Sequence, residues 1–368
     1  MTNTAAQPSI FDPATLGALA LPNRLVMAPM SRNRADADGR PTALMATYYA
    51  QRATAGLIIA GAASPNRVGT TFAGIPGIYT DAQIAGWREV AAAVHAASGR
   101  TFLQLQHGGR VGHPDNGGAV PLAPSPVRLS STIHTAAGSR DAVVPREMTV
   151  EDIGSTVADF ATAARNAIAA GFDGVEVHSA NGMLLHQFLS DNTNQRGDGY
   201  GGPIAHRIRF TLEVVDAVVA EIGAERVGVR IAPGVGANDI VESDTAALYP
   251  ALVAELNARG LAYLHVVFAD PRSPVFQRIR QDWTGPLIAN PSLGWGAPLP
   301  ADGGKAAADE LLAAGADLIS LGRSFLANPD LVARLRVDAP INPFDDVHFY
   351  GGDATGYTDY PVLEPATR

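Results

Sequence analysis

The chain has 368 residues, 46% of them hydrophobic, a formal net charge of −9 and no cysteine. It can bury a substantial core, while the missing cysteines exclude disulfides, thiolate nucleophiles, cysteine zinc sites and iron–sulfur clusters. The acidic balance, without a Lys/Arg-rich run, argues against nucleic acid and against an anionic membrane surface.

Met1 to Pro8 is polar and lacks the basic and apolar regions of a signal peptide. The longest apolar runs, such as residues 56–63, are too short to span a bilayer. The expectation is a soluble cytoplasmic protein.

Strand-like and helix-like segments then alternate. Residues 23–30 (NRLVMAPM) read as a buried strand and 42–54 as a helix. Residues 56–63 and 80–98 repeat the pair. Residues 101–107 (TFLQLQH) form a third strand, whose helix starts late, at a Thr149-x-x-Asp152 capping signal. The remaining pairs are 174–178 with 204–222, 226–232 with 244–259, 261–268 with 275–281, 286–290 with 303–314, and 316–322 with 324–336.

Eight such units predict a single (β/α)8 barrel domain spanning 1–368. The rival, an open doubly wound sheet, usually carries G-x-G-x-x-G after its first strand. Gly234-Val235-Gly236 has Asp239 where the third glycine belongs, and Gly304-Lys305 lacks the rest of a P-loop. One insertion stands out after the third strand, at about 108–148, with five prolines and no clear helix. Loops of this length are usually functional, and a lid is expected here.

The C-terminal strand ends form the active-site face of such a barrel. They carry Ser31, Gln104 with Gln106 and His107, His178 with Asn181, Arg230, Asn290, and Gly322 with Arg323. Arg230 lies in an apolar run and needs an anion, either a ligand or a structural acid partner. Gly322-Arg323 opens a helix after the eighth strand, where a phosphate is often held. His178 and Asn181 are three residues apart, and together can hold one developing oxyanion. No convergent Cys, His or acid set marks a metal site. His107 and His113 flank a glycine-rich turn and read as structural.

At this point the residues resemble those of the old yellow enzyme family. The matching blocks are Asn23-Arg24 with Ala28-Pro29-Met30-Ser31-Arg32, Gln104 with His107-x-Gly109-Arg110, and His178-Ser179-Ala180-Asn181-Gly182. They continue through Leu185-His186-Gln187-Phe188-Leu189-Ser190, Asn194-Gln195-Arg196 and Tyr200-Gly201-Gly202. Gly322-Arg323 with Ala327-Asn328-Pro329-Asp330, and Phe349-Tyr350 with Gly356 to Pro361, complete the series.

The resemblance implies a barrel with non-covalent FMN, reduced by NADPH or NADH, that acts on an electron-poor alkene. It implies that Pro29, Met30, Ser31 and Ala62 contact the flavin and that Gln104 bonds its pyrimidine ring. Arg230 would lie near N1 and the C2 oxygen; Asn290, Gly322 and Arg323 would hold the phosphate. His178 and Asn181 would bind the substrate carbonyl, with Met183, Tyr350, Phe72 and Gln106 lining the pocket. A monomer or homodimer is expected.

Three positions depart from the family pattern. Met183 replaces the tyrosine that usually protonates the α-carbon, and a thioether donates no proton; Tyr350 or solvent would have to serve. Ser31 stands for threonine or cysteine, and Gln106 for a frequent tryptophan. The proline-rich stretch 291–302 is longer than usual. Reduction of nitro compounds, nitrate esters or quinones is therefore a second reading, and a non-flavin lyase or isomerase a remote third.

Overall fold

In a computed structural model, residues 8–294 and 297–364 are described; Met1 to Gln7, and Trp295 and Gly296 of the proline-rich stretch, lie outside the described residues. Eight parallel strands close a barrel: β1 (Leu25–Met27), β2 (Leu57–Ala63), β3 (Thr101–Leu105), β4 (Gly174–Ser179), β5 (Val227–Ile231), β6 (Tyr263–Ala269), β7 (Leu287–Pro291) and β8 (Leu318–Leu321). β8 pairs back onto β1. The flanking helices are α1 (Ala43–Ala50), α2 (Asp81–Ala96), α3 (Val150–Ala169), α4 (Arg209–Ile222), α5 (Thr245–Asn257), α6 (Pro274–Asp282), α7 (Lys305–Ala313) and α8 (Leu331–Arg336). No helix among the described residues is long and apolar enough to cross a membrane.

Local chemistry explains most boundaries. α3 begins with the expected capping box: Thr149 accepts from the Asp152 amide at 3.1 Å, and Asp152 accepts from the Thr149 amide at 2.7 Å. β1 is shorter than the 23–30 run, because Pro29 offers no N–H to a ladder. The helix expected over 324–336 is broken into Arg323–Ala327 and α8. Asn328 between them has φ −132°, ψ 92°, the extended geometry a residue before proline prefers.

The barrel interior is divided by polarity. Val26, Leu57, Ile59, Phe102, Tyr263, Ile288 and Leu318, near the strand starts, pack together. Leu16 and Leu21, from the hairpin Ala14–Leu16/Leu19–Leu21, close that end. The inward positions nearer the strand ends are polar instead, so the fold places its chemistry at one mouth.

The insertion after β3 is more ordered than its proline content implied. It contains a 3-10 turn (Gly109–Val111), a short helix (Pro114–Gly117) whose first turn His113 caps, and an antiparallel ribbon (Thr132–Thr135 with Gly138–Asp141). A two-residue parallel pair, Leu122–Ala123 with Arg146–Glu147, ties its two ends together.

The C-terminal segment has no regular structure yet is firmly held. Arg32 donates to the Phe349 and Gly356 carbonyls, each at 2.8 Å, and Arg34 to those of His348 and Asp353 at 2.9 and 3.1 Å. Three rings, those of Tyr48, Phe349 and Tyr357, surround the Arg32 guanidinium at 4.8–5.4 Å.

Two glycines test the packing in opposite directions. A Cβ on Gly61 would lie 2.2 Å from the Met30 carbonyl oxygen, backbone against backbone. Gly154, on the exposed side of α3, has nothing within 4 Å of that position. Thermal or denaturant melts should show Gly61→Ala losing about 1–3 kcal/mol and Gly154→Ala gaining about 0.5–1 kcal/mol.

Candidate active site

Side chains alternate along a strand, so Glu176 and His178 both point into the barrel from β4. Register places Gln104 beside Glu176, and His178 beside Arg230, which in turn neighbours His265 on β6. The Gln104 amide nitrogen lies 2.8 Å from Glu176 Oε1 and 3.1 Å from His178 Nδ1. Glu176 Oε2 is 2.8 Å from His265 Nδ1, and His265 Nε2 is 2.7 Å from Ser320 Oγ on β8. Glu176 and His265 are wholly buried, and His178 and Arg230 are only 3% and 5% exposed.

The electrostatics follow from that burial. Desolvation would push the Glu176 carboxyl up, but His265, Arg230 and the bonds from His265 and Gln104 outweigh it, so its pKa falls below the usual value. Burial pushes His178 well below the ordinary imidazole range, and Arg230, His186 and His265 add to that shift. His178 is therefore neutral near pH 7. Arg230 loses some basicity to burial, opposed by Glu176.

The turn after β4 is fixed by neighbours. Asn181 adopts φ +54°, a conformation asparagine tolerates better than most residues. Asn238 donates to its carbonyl at 2.8 Å. The Gly182 amide donates to His186 Nδ1 at 3.0 Å, and Gln187 donates to the Gly182 carbonyl at 2.7 Å. Behind them His186 Nε2 is 3.2 Å from buried Glu242, which also accepts from Tyr249 at 2.8 Å. Asn181 Oδ1 is buried without a partner.

Across the mouth, Met30 packs against Gly322: a Cβ there would meet its sulfur at 3.3 Å. Pro29 and Ala62 are buried, and Ser31 is partly exposed. Met183 does not stand alone at the mouth. It packs with Val111, Leu129, Ile133 and Ala142 of the insertion, and with Phe72. Gln106 is buried, whereas Tyr350 is 56% exposed on the segment that Arg32 pins.

Asn290 is engaged inside the protein. Its Oδ1 accepts from Arg230 at 3.1 Å, and its amide nitrogen donates to the Ser320 carbonyl at 2.9 Å. The residue thus links Arg230 to β8. Arg323 donates to the carbonyls of Leu293, Gly294 and Ala297 and meets no carboxylate among the described residues.

Several members of the site were missed in the sequence. Glu176, His265 and Ser320 each interrupt an apolar strand run, the same signal that singled out Gln104 and Arg230. Glu242 and Tyr249 gave no such signal, because only the fold brings them to His186.

These residues fit FMN. Among the described residues, Arg230 is a buried cation whose Nε has no partner, and Arg323 is a second cation with only neutral acceptors. An anionic ring edge and a phosphate would suit them. No group of His and acid residues suited to a metal occurs among the described residues.

Residues 9–342 match the NADH:flavin oxidoreductase / NADH oxidase family. The chain belongs to this family. A probable flavin mononucleotide-dependent alkene reductase of Leishmania infantum is 42% identical over 98% of this chain and 100% of its own. 12-Oxophytodienoate reductase 1 of Oryza sativa subsp. japonica is 41% identical, over 98% and 94%. Among solved structures, morphinone reductase superposes with a TM-score of 0.90 at 41% identity, over 97% of both chains. The old yellow enzyme homologue from Zymomonas mobilis gives 0.91 at 38%, over 97% and 100%. The old yellow enzyme resemblance thus holds over the full barrel, and the protein is an oxidoreductase of an FMN-dependent family. That membership sets aside the lyase or isomerase reading.

Burial also gives the protein a pH dependence. His107 is 1% exposed, and desolvation pushes its pKa down to about 3. The unfolded chain protonates it near its ordinary value, about 6.5. Stability is therefore full above that value and falls as pH drops from there toward 3. At pH 5 this group alone should cost about 2 kcal/mol. Denaturant melts at pH 7.5 and 5 should show that loss in the unaltered protein and a flatter profile in His107→Asn.

Proposed function

We propose that the protein reduces electron-poor alkenes such as enones, enals, maleimides or nitroalkenes, using NADPH or NADH. FMN, when bound, supplies the transfer of hydride from nicotinamide to the β-carbon of the alkene. Pro29, Met30, Ser31, Ala62 and Gln104 would hold its ring, and Gly322 and Arg323 its phosphate. Arg230, which Asn290 engages, would supply a positive charge to the bound ring.

His178 and Asn181 receive the carbonyl oxygen of the substrate. Both donate hydrogen bonds, and these strengthen as negative charge develops on that oxygen during hydride addition. The observation that carries this reading is a buried imidazole held in register beside a buried guanidinium, with Asn181 in the turn that follows the strand. A neutral donor meets the growing enolate charge without consuming a proton from the ring.

Met183 favours a second reading as well. It is enclosed in the apolar cluster of the insertion and offers no acidic proton, so the α-carbon takes its proton from solvent or from Tyr350. Reduction of nitro compounds, nitrate esters or quinones needs hydride but no such acid. The insertion would cover the bound substrate as a lid.

The test is anaerobic reduction of the purified, FMN-loaded protein by NADPH, then mixing with cyclohexenone. Reoxidation with stoichiometric cyclohexanone supports ene-reduction. Failure of cyclohexenone to reoxidise the protein, with fast turnover of quinones or nitro compounds, favours the second reading. A colourless protein that takes up no FMN overturns both. Met183→Tyr should change the rate of the alkene half-reaction at least several-fold more than that of reduction by NADPH. Equal changes in both would contradict a protonation deficit at this position.

A further inference from the structure

Glu176 touches neither mouth nor solvent, and the mechanism above does not use it. Its contacts nevertheless determine how His178 can act. A carboxylate only accepts hydrogen bonds. The Gln104 group facing Glu176 Oε1 at 2.8 Å must therefore be the amide nitrogen. The same nitrogen lies 3.1 Å from His178 Nδ1. An amide nitrogen accepts nothing, so Nδ1 must accept. A neutral imidazole with Nδ1 accepting carries its proton on Nε2.

The other carboxylate oxygen closes the lock. His265 Nδ1 donates to Glu176 Oε2 at 2.8 Å, which leaves His265 Nε2 to accept from Ser320 Oγ at 2.7 Å. Glu176 is thus held on both oxygens and cannot rotate away from Gln104. With both amide hydrogens committed, Gln104 has Oε1 left to accept from a ring N–H.

We propose that Glu176 is a positioning residue: through the Gln104 amide it fixes His178 in the tautomer that presents Nε2–H to the substrate oxygen. The proposal rests on the functional reading above for the meaning of that N–H, but the tautomer itself does not. The opposite tautomer would aim a lone pair at the substrate carbonyl, and repulsion would replace a hydrogen bond.

Long-range proton–nitrogen NMR of protein labelled with [15N]histidine tests this. The His178 ring is assigned by its loss in His178→Asn. The expected pattern is a proton on Nε2 and an accepting Nδ1; a proton on Nδ1, or on both nitrogens at pH 7, overturns the proposal. In Glu176→Gln the new amide can donate, so Gln104 is free to turn. His178 should then shift toward the Nδ1–H form, and the dissociation constant of p-chlorophenol from the FMN-loaded protein, read by calorimetry, should rise about tenfold or more.

Gln104→Met removes the relay while sparing the Glu176–His265 pair, and should produce the same shift if Glu176→Gln fails to fold. Unchanged tautomer and affinity in a folded variant would overturn the proposal. Failure of the unaltered protein to bind FMN or phenol would overturn the functional reading instead, while the tautomer pattern would still decide this one.

Discussion

One buried carboxylate organises the mouth of this barrel. Glu176 is wholly enclosed, yet it faces His265, Gln104 and the field of Arg230. Burying a charge costs several kcal/mol unless partners compensate, and removing one partner of a buried pair typically costs about 3–5 kcal/mol. Glu176 is therefore held by His265 and Gln104, with the field of Arg230 adding to them. Asn290 engages the Arg230 guanidinium, and the hydrogen bonds around Glu176 set the direction of His178. The apolar half below, closed by Leu16 and Leu21, keeps water away from the base of that layer.

Much of this is legible in the sequence, for physical reasons. The alternation of apolar strands with helices is enough for the barrel, because parallel strands buried on both faces read as continuous apolar runs. Gln104 and Arg230 can be picked out because a polar residue in such a run must be satisfied inside. Glu176 and His265 obey the same rule, each a polar residue in an apolar run, and in the fold they sit beside Gln104 and Arg230 in register. The Thr149 cap is readable because it is local. Glu242 and Tyr249, which brace His186 from across the loops, are not, because their contact exists only after the chain has folded.

Two residues gain neighbours that the sequence does not show. The sequence suggests a phosphate ligand at Asn290, and in the fold its amide also meets Arg230 and Ser320. Met183, a pocket-lining residue where an acid is usual, packs in the fold against the insertion. With Phe72 and Val111 it anchors the insertion to the turn that carries Asn181. A tyrosine there would gain a hydroxyl but would have to fit the same apolar cluster, which links substrate chemistry to the packing of the insertion.

The central claim is that His178 and Asn181 face the flavin and hold an oxygen anion there. A visible titration of the FMN-loaded protein with p-chlorophenol measures it directly. A long-wavelength charge-transfer band should appear as phenol binds. It should vanish in His178→Ala and weaken in Asn181→Ala while the flavin stays bound. A band of full strength in His178→Ala, or none in the unaltered protein at saturating phenol, would contradict the account.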